Sequence, residues 1–482
     1  MENSAFCVID IGTGGVKCLV FDSSGSLLFK ETFEIDLLIE GAAKSFDLAA
    51  LWKGICVMTF RAVRECSKRK KKIRSISSTS MREGNVFYDQ NGVELLAVPN
   101  LDARAYKEAC EIEASFGEEI YLESGHWPSA IFLASRLRFL KKQSVIFNRI
   151  RTVSMINDWV LFKFSGKFAT EPTNGCETAL FSLKERNWSY ELIKDLGFDS
   201  SIFPEVQECG TILGQVIGTA SRKSGLDEST LVVVGAADTE AAVAGCGLFE
   251  SGNVAAIAGT TTPVQSVTDS PMIDERRRAW TCCHVLPNRW TIESNAGATG
   301  LVFKWWSEMT GRQFSDLDEE VARDKPPPGG VQVNVGATVM NAKHPHPVSG
   351  GIQGVGSWTP RSHVTLGILE ANCFSVRGNL DQLESIQGRR FPELYFCGGA
   401  SNSKLWRKLQ AGVLGRMIVS FAGGDATGRG AAMLSAVAVG EFSNLPEASK
   451  SFVKRKLVTR PDPNLFETYD PLYQNWLKFQ KD

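Results

Sequence analysis

The segment VIDIGTGGVKCLVFD, Val8 to Asp22, limits the fold more than any other part of the chain. Gly12, Gly14 and Gly15 crowd together, with Asp10 before them and Lys17 after. Glycine clusters beside a cation often cradle phosphate. The flanks decide which kind of cradle this is. "AFCVID" leads into the glycines, "VKCLVFD" leaves them, and "SLLFKETFEID" follows a short "SSG" turn. The order is strand, glycine turn, strand, turn, strand. A Walker A loop requires G-x-x-x-x-G-K-[ST] opening a helix, and a dinucleotide fingerprint requires G-x-G-x-x-G opening a helix. Neither spacing occurs. The glycines therefore form a β-hairpin tip, which can aim successive N–H groups at phosphate oxygens while Thr13 adds its hydroxyl. Such turns also occur without ligands, so both readings stay open on this segment alone.

A second start follows. "VAAIAGTTTPVQSV", from Val254, echoes "VIDIGTGGVKCLVF", from Val8. Between and after the two, strand and helix patterns alternate. Residues 48–67 read as a helix, "IRSISSTS" as a buried strand, and "NVFYDQNGVELLAV" as a hairpin turning at Asn91-Gly92. "ATEPTNGCETALFSL" reads as irregular. "LVVVGAADTEAAVAGCGLF" reads as a buried strand, a sharp turn and an Ala-rich helix, and "LYFCGGASNSKLWRKLQAGVLG" as a strand, a Gly-Gly turn and a helix. A chain of 482 residues is too long for one core. The echo divides it into two related α/β domains, 1–245 and 246–445, with a helical tail over 446–482 that ends in a surface helix.

Bulk properties exclude several classes. Net charge is −1, so no global field draws the chain to nucleic acid or a membrane surface. The run "KRKKKIR", Lys68 to Arg74, is the one dense basic patch and reads as a solvated turn. The longest apolar run, Leu231 to Phe249, carries Asp238 and Glu240 and does not suit a bilayer. No signal-peptide pattern precedes the first strand. Twelve scattered cysteines read as reduced thiols of a cytoplasmic protein. "CCH" at Cys282 to His284 has no second Cys/His pair at ligand spacing, and His344 and His346 stand apart beside prolines, so no zinc site is expected. A homodimer is the default oligomer, since dimers are commonest.

Two glycine hairpins, one per half, suggest a nucleotide clamped between similar domains. In this the chain resembles the FGGY carbohydrate kinases, a branch of the actin/hexokinase/heat-shock-ATPase superfamily. The matching pieces occur in order over nearly the whole length: "DIGTGGVK", "GAADTEAAVAG", "AGTTT", "FCGGASNSKLWRKLQAGVLGR" and "DATGRGAAMLSA". "TSMREG" and "NLDARA" are most similar to the autoinducer-2 kinases and nearby sugar kinases. The resemblance implies two actin-like (ribonuclease H-like) domains, with mixed sheets flanked by helices and the nucleotide in the cleft between them. It implies ATP-dependent transfer of a phosphoryl group to a primary hydroxyl of a small sugar, ketose or polyol. Candidate acceptors are xylulose, ribulose, glycerol and the linear dihydroxy-dione precursor of autoinducer-2.

By the same resemblance Asp238 is the catalytic base and also touches the acceptor. Asp10 holds Mg²⁺, through water. Gly12, Thr13, Gly14 and Lys17 meet the phosphates from one side, and Gly259, Thr260 and Thr261 from the other. Gly300, Gly398, Gly399 and Ser403 fall to adenosine, and Arg82, Glu83, Asp102 and Trp127 to the acceptor. Each has a plainer alternative. Asp238 suits a helix N-cap, Asp10 a turn, and Lys17 a solvent-facing strand position. The adenosine glycines suit tight turns, and Arg82-Glu83 an exposed pair at a strand end. His126, next to Trp127, reads as a structural histidine. Two positions depart from the family: Leu366, where an arginine is usual, on an element near the cleft, and Asp425, where glutamate is usual, at a helix start. A non-enzymatic actin-like ATP-binding protein also accounts for the hairpins, though not for Arg82-Glu83 or Asp238. A nicotinamide dehydrogenase is disfavoured for want of G-x-G-x-x-G.

Overall fold

The computed structural model describes residues 3–343, 350–421, 425–454 and 456–480; His344 and His346 lie outside them. The first glycine segment folds as its flanks dictate. Strands Ser4–Gly12 and Gly15–Asp22 pair antiparallel, with Gly12 opposite Gly15 and Thr13-Gly14 as the two-residue turn. This hairpin sits inside a six-stranded sheet. The order is Ile212–Gln215, Leu231–Ala237, Lys72–Ser80, Ser4–Gly12, Gly15–Asp22, Leu27–Glu34. The three central strands Leu231–Ala237, Lys72–Ser80 and Ser4–Gly12 run parallel and are almost wholly buried. Burial on both faces explains their unbroken small and β-branched residues.

A second sheet repeats the plan. Its order is Trp280–Cys283, Trp290–Asn295, Pro263–Thr268, Val254–Ala258, Glu393–Gly398, Met417–Phe421, Lys456–Thr459. The hairpin Val254–Ala258/Pro263–Thr268 occupies the place of the N-terminal hairpin, and Glu393–Gly398 and Met417–Phe421 continue parallel to it. The echo in the sequence is thus a repeat of strand order. Phosphate-type loops leave the C-terminal ends of equivalent parallel strands in each lobe, where ligands bind in open α/β sheets.

Two helices join the lobes. The helix Ala426–Ala438, which the sequence assigns to the second domain, packs across the first sheet against Phe6, Val8, Leu19 and Phe21. The helix Asp238–Gly245 contributes Ala241 and Ala244 to that same core, and Ala242 and Val243 to a cluster with Ala255, Ile257 and Cys397 of the second lobe. The two helices touch backbone to backbone. A Cβ on Gly245 would lie 1.9 Å from the Ala426 carbonyl oxygen, and one on Gly430 would lie 1.9 Å from that of Ala241. Both contacts require glycine.

The C-terminal segment ends in the surface helix expected of it, but it is not wholly helical and packs into both lobes. Leu445–Phe452 buries Leu445, Ala448 and Phe452 in the first-lobe core, and Lys456–Thr459 is the edge strand of the second sheet. The helix Pro463–Phe479 buries Tyr469, Tyr473 and Trp476 in the second-lobe core. These aromatics recur at helical spacing, so the helix presents one apolar stripe inward. The segment 68–74 is only in part the solvated turn expected of it: Lys68 ends a helix, Arg69 and Lys70 turn, and Lys72 to Arg74 already belong to the strand Lys72–Ser80; Lys68 and Arg69 pair with Glu65. No helix among the described residues is long and apolar enough to cross a membrane.

Gly430→Ala should force apart the helices that join the lobes. The expected loss is about 1–3 kcal/mol of unfolding free energy or more, the usual range for overpacking. A urea midpoint equal to that of the native protein would show that the helices separate without cost.

Candidate active site

Asp238 follows the buried strand Leu231–Ala237 and is the first residue of the helix Asp238–Gly245. The helix N-cap is Ala237, and no side chain caps it, so the capping alternative for Asp238 does not hold. The strand end is fixed from behind. Thr173 Oγ1 accepts from the Ala237 amide at 2.7 Å and donates to Glu171 Oε2 at 2.7 Å. Glu171 is fully buried and also takes the amides of Thr173 and Asn174. Thr427 Oγ1 donates to the Asp238 carbonyl oxygen at 3.3 Å. The Asp238 side chain is half-buried. Burial pushes its carboxyl up to about 7; the Arg82 cation opposes this and the Asp10 charge adds to it. A carboxylate titrating near neutrality is matched to proton transfer at that pH.

Asp10 and Lys17 face one another across the hairpin, at 2.8 Å. Lys17 also reaches Asp425 Oδ2 at 3.0 Å. Two carboxylates share its ammonium, and its side chain is 33 % exposed. Asp10 above all holds that ammonium well above its ordinary value. Asp425 is therefore more than a helix start. It caps Ala426–Ala438 through the Gly428 amide and ties that helix to the phosphate hairpin. Asp10 is 2 % exposed, and Lys17 is the group that donates to its Oδ2. Among the described residues nothing donates to Oδ1. One buried carboxylate with a free oxygen suits magnesium, which keeps most of its waters.

The two loops present unused donors. The amides of Thr13, Gly14, Thr260 and Thr261 have no backbone acceptor among the described residues, and Gly14, Gly259, Thr260 and Thr261 are exposed. Gly12 is half-exposed. Gly259 differs, because its amide bonds within its own loop, to the carbonyls of Ile257 and Thr261. Gly300 packs against that loop: a Cβ there would lie 2.0 Å from the Gly259 carbonyl oxygen. Gly398 has φ +91, and a Cβ there would lie 2.3 Å from the Ala258 carbonyl oxygen, whereas a Cβ on Gly399 would meet nothing within 4 Å. The Ser403 hydroxyl is already committed, taking the Trp406 amide at 3.0 Å as an N-cap and donating to Asp318.

Arg82 and Glu83 are not an exposed pair; they are 7 % and 5 % exposed. Arg82 donates to Glu293 through Nη1 at 2.7 Å and Nη2 at 2.9 Å, and to Glu177 through Nη1 at 3.1 Å. Glu83 adopts a left-handed backbone at φ +62, and Arg136 holds its carbonyl. Burial pushes the Glu83 carboxyl well above its ordinary value, so it can donate an O–H as well as accept one. Glu177 shows the opposite balance. Burial would raise it, but Arg82 and His126 hold it at about 2. His126 Nε2 lies 3.0 Å from Glu177, and its Nδ1 bonds the Ser124 carbonyl. His126, Glu177 and Cys282 have the mutual spacing of metal ligands. Arg82 already supplies the counter-charge at 3.1 Å, so the cluster is an ion-pair network rather than a metal centre. His284 of the "CCH" run points elsewhere, to the Leu248 carbonyl.

Two acceptor candidates are engaged within the protein. Asp102 is fully buried; its Oδ1 accepts from Arg104 at 2.7 Å and from the Lys44 amide at 2.9 Å, while its Oδ2 has no hydrogen-bond partner among the described residues. Trp127 is 5 % exposed, donates to Glu113 and stacks under Lys343, leaving no open ring face. Leu366 packs in the second-lobe core at 5 % exposure. The residues that sequence reading missed are Glu171, Thr173, Glu177, Glu240, Gln265 and Glu293. The first three lie in a stretch read as irregular, and Glu293 is a lone acid within an otherwise buried strand, Trp290–Asn295. That break in pattern was the available signal.

Known proteins place this two-lobed site. Residues 5–245 match the profile described as "FGGY family of carbohydrate kinases, N-terminal domain", and residues 254–439 match its C-terminal counterpart. The chain belongs to the FGGY family of carbohydrate kinases, ATP-dependent enzymes that transfer a phosphoryl group to a sugar hydroxyl. It is 30% identical to an autoinducer-2 kinase of Salmonella paratyphi B over 98% of this chain and 93% of that protein. The fold matches a ligand-bound xylulose kinase from Lactobacillus acidophilus with TM-score 0.89 at 19% identity, over 99% of this chain and 98% of that one. It matches a glycerol kinase from Plasmodium falciparum, solved with ADP, with TM-score 0.85 at 17% identity, over 98% of each chain. The fold is that of the actin-like ATPases.

Because the Asp238 carboxyl sits at about 7, kcat/KM for the acceptor should rise about tenfold per pH unit below that value and level off above it. Protonation removes the base as pH falls. A pH–rate profile at saturating ATP, with acceptor well below KM, reads this directly. An acid limb displaced to the ordinary carboxylate range would contradict the assignment.

Proposed function

We propose that the chain phosphorylates a primary hydroxyl of a small ketose or polyol, with Asp238 as the general base. The observation that carries this is the position of Asp238, half-buried at the end of a central parallel strand, with its carboxyl pushed up to about 7. The acceptor hydroxyl gives its proton to Asp238 while its oxygen attacks the γ-phosphorus in line and ADP departs. The free amides at Thr13, Gly14, Thr260 and Thr261 support a cradle for the phosphates from both lobes. Arg82 and Glu83 bind acceptor hydroxyls. Asp10 is the residue that would hold magnesium through water, and the bound ion would neutralise phosphate charge. Asp238, Arg82 and Glu83 stand in a dense set of buried groups. That setting excludes competing water, which a kinase must do for a sugar to outcompete solvent as acceptor.

The relatives named autoinducer-2 kinase match along almost the whole chain, which makes the linear dihydroxy-dione precursor of autoinducer-2 the first acceptor to test. Xylulose, ribulose and glycerol follow. All twelve cysteines are free, most of them buried, which supports a reducing, cytoplasmic setting. A homodimer remains our working oligomeric state.

Asp238→Asn should leave ATP affinity nearly unchanged and lower kcat by about 10²–10⁴, the usual contribution of a general base. A coupled ADP-release assay across these acceptors, with ATP binding followed by calorimetry, measures both. Turnover within about tenfold of the native enzyme would remove Asp238 from the role.

A further inference from the structure

We infer that Glu293, on the second lobe, is a positioning residue for the acceptor: it grips one edge of the Arg82 guanidinium and turns the other edge toward the acceptor. The inference rests on the reading of Arg82 as an acceptor ligand.

A guanidinium carries five N–H donors in a fixed plane. Three of those on Arg82 are taken: both on Nη1, by Glu177 and Glu293, and one on Nη2, by Glu293. The remaining Nη2–H and the Nε–H lie together along the side edge of the fork. Among the described residues nothing accepts from them. The side edge is itself a bidentate geometry, matched to two neighbouring oxygens. Which way it faces depends on what holds the opposite edge, and Glu293 does so with both carboxylate oxygens.

Glu293 is itself held. Its Oε2 takes Gln265 Nε2 at 2.8 Å and its Oε1 takes Asn295 Nδ2 at 3.2 Å. The same Gln265 nitrogen donates to Glu240 Oε1 at 2.7 Å, and Thr239 Oγ1 donates to Glu240 Oε2 at 2.6 Å. Glu240 lies two residues beyond Asp238 on the same helix. One carboxylate from the second lobe is therefore tied to both first-lobe elements of the reaction, Arg82 and the helix that starts at Asp238. Glu293, Glu240 and Gln265 are no more than 1 % exposed, so these bonds are not loosened by water.

Two variants test this, each assayed with the linear dihydroxy-dione, xylulose and glycerol, keeping the best acceptor. Glu293→Asp retains the charge but withdraws the carboxylate by one methylene, which displaces the fork. Acceptor KM should rise about tenfold or more, kcat should fall less than KM rises, and ATP KM should stay within about twofold. Glu293→Gln should shift acceptor KM in the same direction. Should the Gln variant not fold, because Arg82 loses a buried partner, the Asp variant decides alone. Acceptor KM within about twofold of native in a folded Glu293→Asp enzyme overturns the inference. So does an equal loss of ATP and acceptor affinity, which is what general loosening produces. The parent reading fails separately: it falls if no acceptor is turned over or if Asp238→Asn keeps its activity.

Discussion

The structure depends on one close contact, between the helices Asp238–Gly245 and Ala426–Ala438. Each follows a parallel strand in the equivalent place of its own sheet, and each leans into the other lobe's core. Gly245 and Gly430 let the two backbones meet without a side chain between them. Close-packed interiors do not deform continuously, so a contact this tight fixes the relation of the lobes at that point. It also holds Asp238, the first residue of one helix, against the start of the other through Thr427, while Asp425, the cap of that helix, is tied to Asp10 of the hairpin through Lys17. The hairpin at Gly12, Asp238 and the second lobe thereby share one frame.

Around that frame the protein keeps an unusual density of buried charge. Removing ions from water costs several kcal/mol each, and only close pairing offsets it. Here Arg82 and His126 balance Glu177 and Glu293, while burial pushes Glu83 well above its ordinary value and Glu240 up to about 8. An arrangement of this kind is weak evidence for stability, since an apolar core of equal volume would serve as well. It makes sense as a site in which donors are set before the acceptor arrives, and electrostatic preorganisation of that sort is the largest lever a phosphotransferase has.

Much of this was legible in the residues. Strand-turn-strand around Gly12 and its echo at Gly259 followed from β-branched runs broken by glycine, because local periodicity and turn chemistry act within a few residues. Asp238 could be placed at a strand end for the same reason. What the residues did not show has a different cause. Asp102, Trp127 and Ser403 are the right residue types in the right neighbourhood, but arginine, glutamate and a helix end reach them first. Leu366 was read as near the cleft and lies in a core. Residues 446–482 looked like a tail because their partners, the first-lobe core and the strand Met417–Phe421, are distant in sequence.

The amino-acid sequence by itself determined two glycine hairpins, an acid at a strand end, and two α/β halves of one plan, since each is written in spacings shorter than a single element. Tertiary structure alone decided which carboxylates surround Arg82, which lysine is shared, and which lobe each joining helix belongs to. Those outcomes depend on side chains up to 211 positions apart competing for the same buried donors, as Arg82 and Glu293 do, and no local pattern encodes the winner.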